Sequence, residues 1–224
     1  MDNLPRDPSS HHTTEDEPEA DFQTLLKLYL PFLEGLLTSS RLQHSLDVME
    51  VMADLAAIYS LDRGRAMKAG LLHDAARDLA PKAQLALVEE AGVALLYPCE
   101  RHPVYLHALA GAHLVRRALG ITDQRVLDAI AAHSYAGRGE RSNGLLSRCL
   151  RAADLVASRQ EWNGRERLKS VVYGGRMKEA ALLQRGWLIE YLKGQGVPVH
   201  PNLANQFEAL SAELGADESF FDRW

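Results

Sequence analysis

Gly70-Leu71-Leu72-His73-Asp74 closes an apolar helical run with an imidazole next to a carboxylate. The pair offers a neutral nitrogen and a hard oxygen, a mixture that suits Fe, Mn, Zn or Co ions that activate water. One such dipeptide is ordinarily structural. Its weight here comes from His44, His107, His133 and Asp154, each lying at three- or four-residue steps from apolar side chains that a helix would bury. Buried charges must be paired or ligated, so helices that interrupt their own apolar stripes with imidazole and carboxylate need a common partner. A shared metal centre meets that need.

Working outward, Phe22, Leu25, Leu26, Leu28 and Leu30 give a helical pattern up to Pro31, where a second segment with Phe32, Leu33, Leu36 and Leu37 is expected to open. Thr38-Ser39-Ser40 offers an N-cap for a helix over about 41–59, with His44 in line with Val48, Met52 and Leu55. Leu61-Asp62 starts the helix that leads to His73-Asp74, and Ala66, Ala69 and Gly70 give it a small face that a neighbour can approach closely. Pro81 opens an amphipathic helix ending near Gly92, and 93–103 reads as a connecting loop.

Beyond it, Val104, His107, Gly111, Leu114 and Val115 share one helical face that ends at Gly120. Asp123 caps a helix aligning Val126, Ile130 and His133. Residues 134–144 are rich in Gly, Arg and Ser and read as a loop at the mouth of the site. A helix from about Leu145 carries Leu146, Leu150 and Asp154, 177–193 form a long helix, and Leu203, Phe207 and Leu210 mark a last one. No segment sustains a strand-like alternation, so the fold class is all-α.

The 224 residues suffice for one domain with a substantial core. The expected organisation is a disordered acidic tail over 1–20, one domain over 21–214 and a loose end over 215–224. The net charge of −5 lies in that tail, which holds six acids against one base and leaves a neutral body without the basic balance of a nucleic-acid binder. No apolar run approaches the length of a membrane span, and no secretory pattern opens the chain, so a cytoplasmic protein without membrane contact is expected. Cys99 and Cys149 fit neither a zinc spacing nor a disulfide framework and read as buried thiols. His102, His113 and His200 lack companions at ligand spacing.

The order His44, His73-Asp74, Asp154 on helices resembles the HD superfamily of metal-dependent phosphohydrolases, and His107 and His133 narrow the likeness. The chain is most similar to the YqeK-like family of symmetrical bis(5′-nucleosyl)-tetraphosphatases. The strings that carry the likeness include Arg41-Leu42-Gln43-His44-Ser45-Leu46, Leu71-Leu72-His73-Asp74-Ala75-Ala76-Arg77-Asp78-Leu79, Leu106-His107, Ala153-Asp154, Trp162-Asn163-Gly164 and Gly196-Val197-Pro198-Val199-His200-Pro201. Together they span about residues 27–212. Arg77 stands where the family usually has Lys, and Ser134-Tyr135-Ala136-Gly137-Arg138 shifts its glycine and arginine by one.

This resemblance implies an HD-type helical bundle with a two-metal site at its centre. The ions would be divalent or mixed-valence, iron first, with manganese, cobalt and zinc as alternatives. Asp74 would bridge them, His44, His73 and Asp154 would hold one ion, and His107 and His133 the other. Metal-bound water would be the nucleophile, and diadenosine tetraphosphate would yield two ADP. An HD nucleotidase or phosphodiesterase with another substrate, and a non-catalytic nucleotide-binding module, are the competing readings.

Seven arginines against four acids over 138–167 make that window locally positive, and arginine's planar fork suits phosphate. Arg41, Arg77, Arg138 and Arg151 are the candidate phosphate contacts, although a solvated helix face explains the window equally well. The resemblance implies a nucleotide substrate as the partner, and a homodimer is compatible with the sequence. Deleting residues 1–20 should leave activity and thermal unfolding nearly unchanged; a large loss of either in the truncated protein would move the domain boundary.

Overall fold

The computed structural model describes residues 21–134, 144–159, 162, 164–216 and 220. Ten α-helices and one 3₁₀ turn make up its regular structure, with no strand among the described residues. The all-α expectation holds. No described helix is long and apolar enough to cross a membrane.

Helix α1 (Phe22–Glu34) starts where the Asp21 carboxylate accepts from the Thr24 amide at 2.7 Å. It runs through Pro31 as one helix, which corrects the expected break. Pro31 is exposed, while Leu25 and Leu33 on either side are fully buried, so continuous burial of one face outweighs the lost hydrogen bond. Helix α2 (Ser39–Ile58) buries Val48, Met49, Met52 and Leu55 against α3 (Arg63–Leu72), whose N-cap is Asp62.

The α2–α3 contact depends on Gly70. A Cβ there would meet Met49 Cα at 3.0 Å, Met49 N at 3.1 Å and Met52 Cγ at 3.1 Å, so a methyl group would push the two backbones apart. The small face read from the sequence is therefore the seam that sets His44, on α2, against His73. At the far end of α3 the chain enters a run of tight turns over 73–79 before α4 (Pro81–Glu90). Buried Gln84 donates to the carbonyls of Ala76 and Leu79 at 3.0 and 3.1 Å, so backbone groups that no helix pairs are satisfied. Asp78 accepts from the Thr38 amide and hydroxyl at 2.8 and 2.9 Å, tying those turns to the start of α2.

The segment expected to be a plain loop holds a 3₁₀ turn (Pro98–Arg101). Its Glu100 is fully buried and lies 3.1 Å from Nε2 of the equally buried His200. His200 Nδ1 accepts from the Asn202 amide, which caps α10 (Pro201–Leu214) and leaves Nε2–H to donate to Glu100. His200 thus has the companion that local spacing did not reveal. Cys99 is only partly buried and Cys149 is buried, both as free thiols.

Helix α5 (Pro103–Leu119) ends at Gly120 in the left-handed conformation, and α6 (Gln124–Ala131) starts from the Asp123 cap. Helix α7 (Leu145–Val156) packs on α2, α3 and α6. Helix α8 (Arg165–Tyr173), which the sequence pattern left unnoticed, and α9 (Met177–Gly194) cover its other side.

Two glycine substitutions separate the tight seam from an ordinary contact. Gly70→Ala should cost about 1–3 kcal/mol, as overpacking does. At Gly111 the nearest neighbours of an added Cβ lie 3.6–3.8 Å away, so Gly111→Ala should be neutral or stabilising by up to about 1 kcal/mol. Urea unfolding followed by circular dichroism measures both; equal effects would contradict the seam.

Candidate metal centre

Five helices bring the six residues singled out in the sequence to one point. His44 projects from α2, His107 from α5 and Asp154 from α7, all within helices. His73 is the C-cap of α3, and His133 lies two residues past the end of α6. Helix α3 ends at the His-Asp pair as its sequence pattern indicates, α6 stops two residues short of His133, and each imidazole takes up a carbonyl three residues back: His73 Nδ1 lies 2.8 Å from Gly70 O and His133 Nδ1 lies 2.7 Å from Ile130 O.

Those contacts define the tautomers. A carbonyl only accepts, so Nδ1 carries a proton on both rings and Nε2 is the nitrogen turned inward, the one left to bind a metal when it carries no proton. His107 Nδ1 has two neighbours, Pro103 O at 3.0 Å and Arg77 Nη1 at 2.9 Å. With the proton on Nδ1 it donates to Pro103. With the proton on Nε2 it accepts from Arg77 instead.

Asp74 sits among these rings with 3% of its surface exposed. Its two oxygens face different neighbours. Oδ1 lies 3.4 Å from both His107 Nε2 and His133 Nε2, which are 3.0 Å from each other. Oδ2 lies 3.6 Å from His73 Nε2 and 3.2 Å from Arg41 Nη1. Asp154 Oδ1 completes the second side, 2.8 Å from His44 Nε2 and 3.7 Å from His73 Nε2.

This donor set fits metal. His73 Nε2 is buried with no hydrogen-bond partner, its carboxylate neighbours standing at 3.6–3.7 Å. With the proton of His107 on Nε2, that ring donates to His133 Nε2 at 3.0 Å; with it on Nδ1, the two Nε2 lone pairs would face each other, an arrangement that a cation between them would satisfy. Candidate ligand atoms of His44, His73 and Asp74, and of Asp74, His107 and His133, each fall within 4.8 Å of one another.

The electrostatics agree. Burial disfavours a charge on His73, but the carboxylates of Asp74 and Asp154 outweigh it and raise its pKa to about 9. Burial dominates at His107 and, helped by His133 and Arg77, lowers its pKa to about 4, so this ring is neutral. Asp74 is held well below the usual carboxylate range: burial alone would raise it, but His73, His107 and His133 outweigh burial. Asp154 is held low against burial by His44 and His73.

A cleft of about 170 Å³ opens over the cluster, walled by Arg41, Arg77 and Arg151 and, from α9, by Gln184, Trp187 and Tyr191. Arg41 and Arg77 thus stand where the sequence analysis put them. Arg151 reaches the wall, but its Nη1 donates to Ala132 O at 3.0 Å, bracing the turn that carries His133. Arg138 and Arg141 lie outside the described residues. From the same basic window, Arg159 pairs with Asp47, and Arg165 donates to Val156 O, both away from the cleft. The α9 wall was missed; Trp187 and Tyr191 are four apart on one helix, a spacing that could have flagged it.

Comparisons with known proteins match this geometry. The family model described as HD domain matches residues 41–159, a span that contains all six clustered residues. The symmetrical bis(5′-nucleosyl)-tetraphosphatase of Halalkalibacterium halodurans is 29% identical over 187 residues, covering 82% of this chain and 96% of that protein. The Bacillus subtilis protein of the same name is 27% identical over 135 residues, covering 60% of this chain and 70% of its own length. A crystal structure from Clostridium acetobutylicum, described as a predicted HD superfamily hydrolase involved in NAD metabolism, superposes with a TM-score of 0.75 at 28% identity over 86% of this chain and 98% of that one. With its motifs, its helical core and its His/Asp cluster in agreement, the chain belongs to the HD domain family, the metal-dependent phosphohydrolases that its sequence resembles.

Proposed function

We propose that residues 21–214 form a two-metal phosphohydrolase that splits dinucleoside polyphosphates symmetrically, diadenosine tetraphosphate into two ADP. The observation that carries the metal assignment is the division of labour at Asp74, whose two oxygens face separate donor sets. Asp74 would bridge, His44, His73 and Asp154 would hold one ion, and His107 and His133 the other. The substrate assignment is supported by the two relatives named as symmetrical tetraphosphatases.

Two ions held by these residues would supply an activated water and positive charge against a phosphoryl group. Mixed imidazole and carboxylate donors suit iron, and also manganese, cobalt or zinc. The protein's own part is placement. Gly70, Ile130 and Pro103 carbonyls orient three imidazoles, so little reorganisation is needed when the site is loaded. A ligand role for His107 Nε2 selects its Nδ1–H tautomer, which turns to Pro103 and releases Arg77 from the ring. Arg77 and Arg41, the latter also 3.2 Å from Asp74 Oδ2, both line the cleft and would grip the oxygens of the reacting phosphate. Arg151 acts through Ala132, holding the turn of His133.

Incubating the metal-loaded protein with diadenosine tetraphosphate should give ADP alone, and Asp74→Ala should reduce kcat/KM by roughly two orders of magnitude or more with the helical signal intact. AMP with ATP as products, or an active Asp74→Ala protein, would overturn the assignment.

Metal binding should also depend on pH in a defined direction. His73, with a pKa of about 9, is protonated at neutral pH and must lose its proton to become a ligand. His107, near 4, adds nothing in that range. Apparent metal affinity should therefore rise by about tenfold per pH unit between about 7 and 9 and then level off. Calorimetric titrations with the metal alone test this; an affinity flat across the window would contradict it.

A further inference from the structure

A substrate cut in its middle must leave the reacting centre in two directions, each arm carrying a nucleoside two phosphates away. Beside the metal cleft lies a second cavity of about 350 Å³, between the start of α5 at His102 and Pro103 and the end of α9 at Leu192 and Gln195. It shares Arg77, Val104 and Tyr191 with the cleft, so the two spaces meet across these side chains. Arg77 Nη1 is 2.9 Å from His107 Nδ1, so the cavity begins one side chain from the centre.

We propose that this cavity holds one nucleoside of the substrate, with Tyr191 as the face on which its base stacks. The inference rests on the dinucleoside polyphosphate reading above and adds to it where one base sits. Tyr191 is 43% exposed. One face of its ring lies against Trp187, nearly parallel at 13° with centroids 5.2 Å apart, and Trp187 is backed by Trp162 at 4.8 Å. The stack fixes Tyr191 before any ligand arrives and leaves its second face for a planar ring. A base on an aromatic face gains affinity with little regard to its identity.

The charges suit the same occupant. No carboxylate lines this cavity among the described residues, and Arg77 stands at its boundary with the cleft, where the phosphates joining nucleoside to reacting phosphorus must pass. His102 commits Nδ1 to the Val104 amide as the cap of α5, so its ring is held as part of the opposite wall. The exposed Gln195 adds a side chain that can both donate to and accept from a base edge.

The test is calorimetric titration of the metal-loaded, full-length protein with ADP and with inorganic pyrophosphate, which has the phosphates without the base. The wild type should bind ADP more tightly than pyrophosphate. Tyr191→Ala should weaken ADP about tenfold and leave pyrophosphate within about twofold, and Tyr191→Phe should restore ADP, as expected of one base–aromatic stack. Equal losses for both ligands, or ADP affinity unchanged in Tyr191→Ala, would overturn the proposal. Product analysis of the wild type separates the two readings. Two ADP from the tetraphosphate with an indifferent Tyr191→Ala protein rejects the cavity alone, whereas a Tyr191-dependent ADP preference without tetraphosphate cleavage rejects the substrate and keeps the nucleoside site.

Discussion

A carboxylate buried to the extent of Asp74 stays ionised only if its surroundings replace water on both oxygens. Here the replacement is uneven by design of the fold: two imidazole nitrogens face one oxygen, an imidazole and a guanidinium the other. Protein groups alone leave this arrangement incomplete: His73 Nε2 has no hydrogen-bond partner, and two Nε2 lone pairs face each other at 3.0 Å once His107 turns its Nδ1–H to Pro103. Cations on either side of Asp74 would resolve both problems at once. The helices can be understood as the scaffold that holds this polar knot in an otherwise apolar core.

The scaffold acts through backbone more than through side-chain bulk. Gly70 brings α2 and α3 together, so His44 meets the end of α3, and its carbonyl orients His73. Ile130 O does the same for His133. The 73–79 turns would be a weak link, but Gln84 and Thr38 pin them from two sides. His73, His107 and His133 are thus oriented by carbonyls outside the cluster, which favours a preorganised site.

Much of this was legible in the sequence because the cluster breaks apolar stripes. His44, His73-Asp74, His107, His133 and Asp154 stand out where periodicity calls for leucine, and all six converge. The end of α6 two residues before His133 was not legible, since a histidine Nδ1 that takes a carbonyl closes a helix without changing the pattern of apolar positions. Helix α1 passed through Pro31 because burial on one face overrode a local breaker. Glu100 and His200 are a hundred residues apart in the chain, so their buried pairing has no local signal. The α9 wall was hidden for a different reason: Trp187 and Tyr191 sit on a helix whose leucines already account for its amphipathic pattern.

On the proposed reading, Asp74 separates two ions. Anomalous diffraction from crystals of the metal-loaded protein measures this most directly. Two peaks are expected, one on the Oδ1 side near His107 and His133 and one on the Oδ2 side near His44, His73 and Asp154. A single ion, or ions bound away from Asp74, would contradict it.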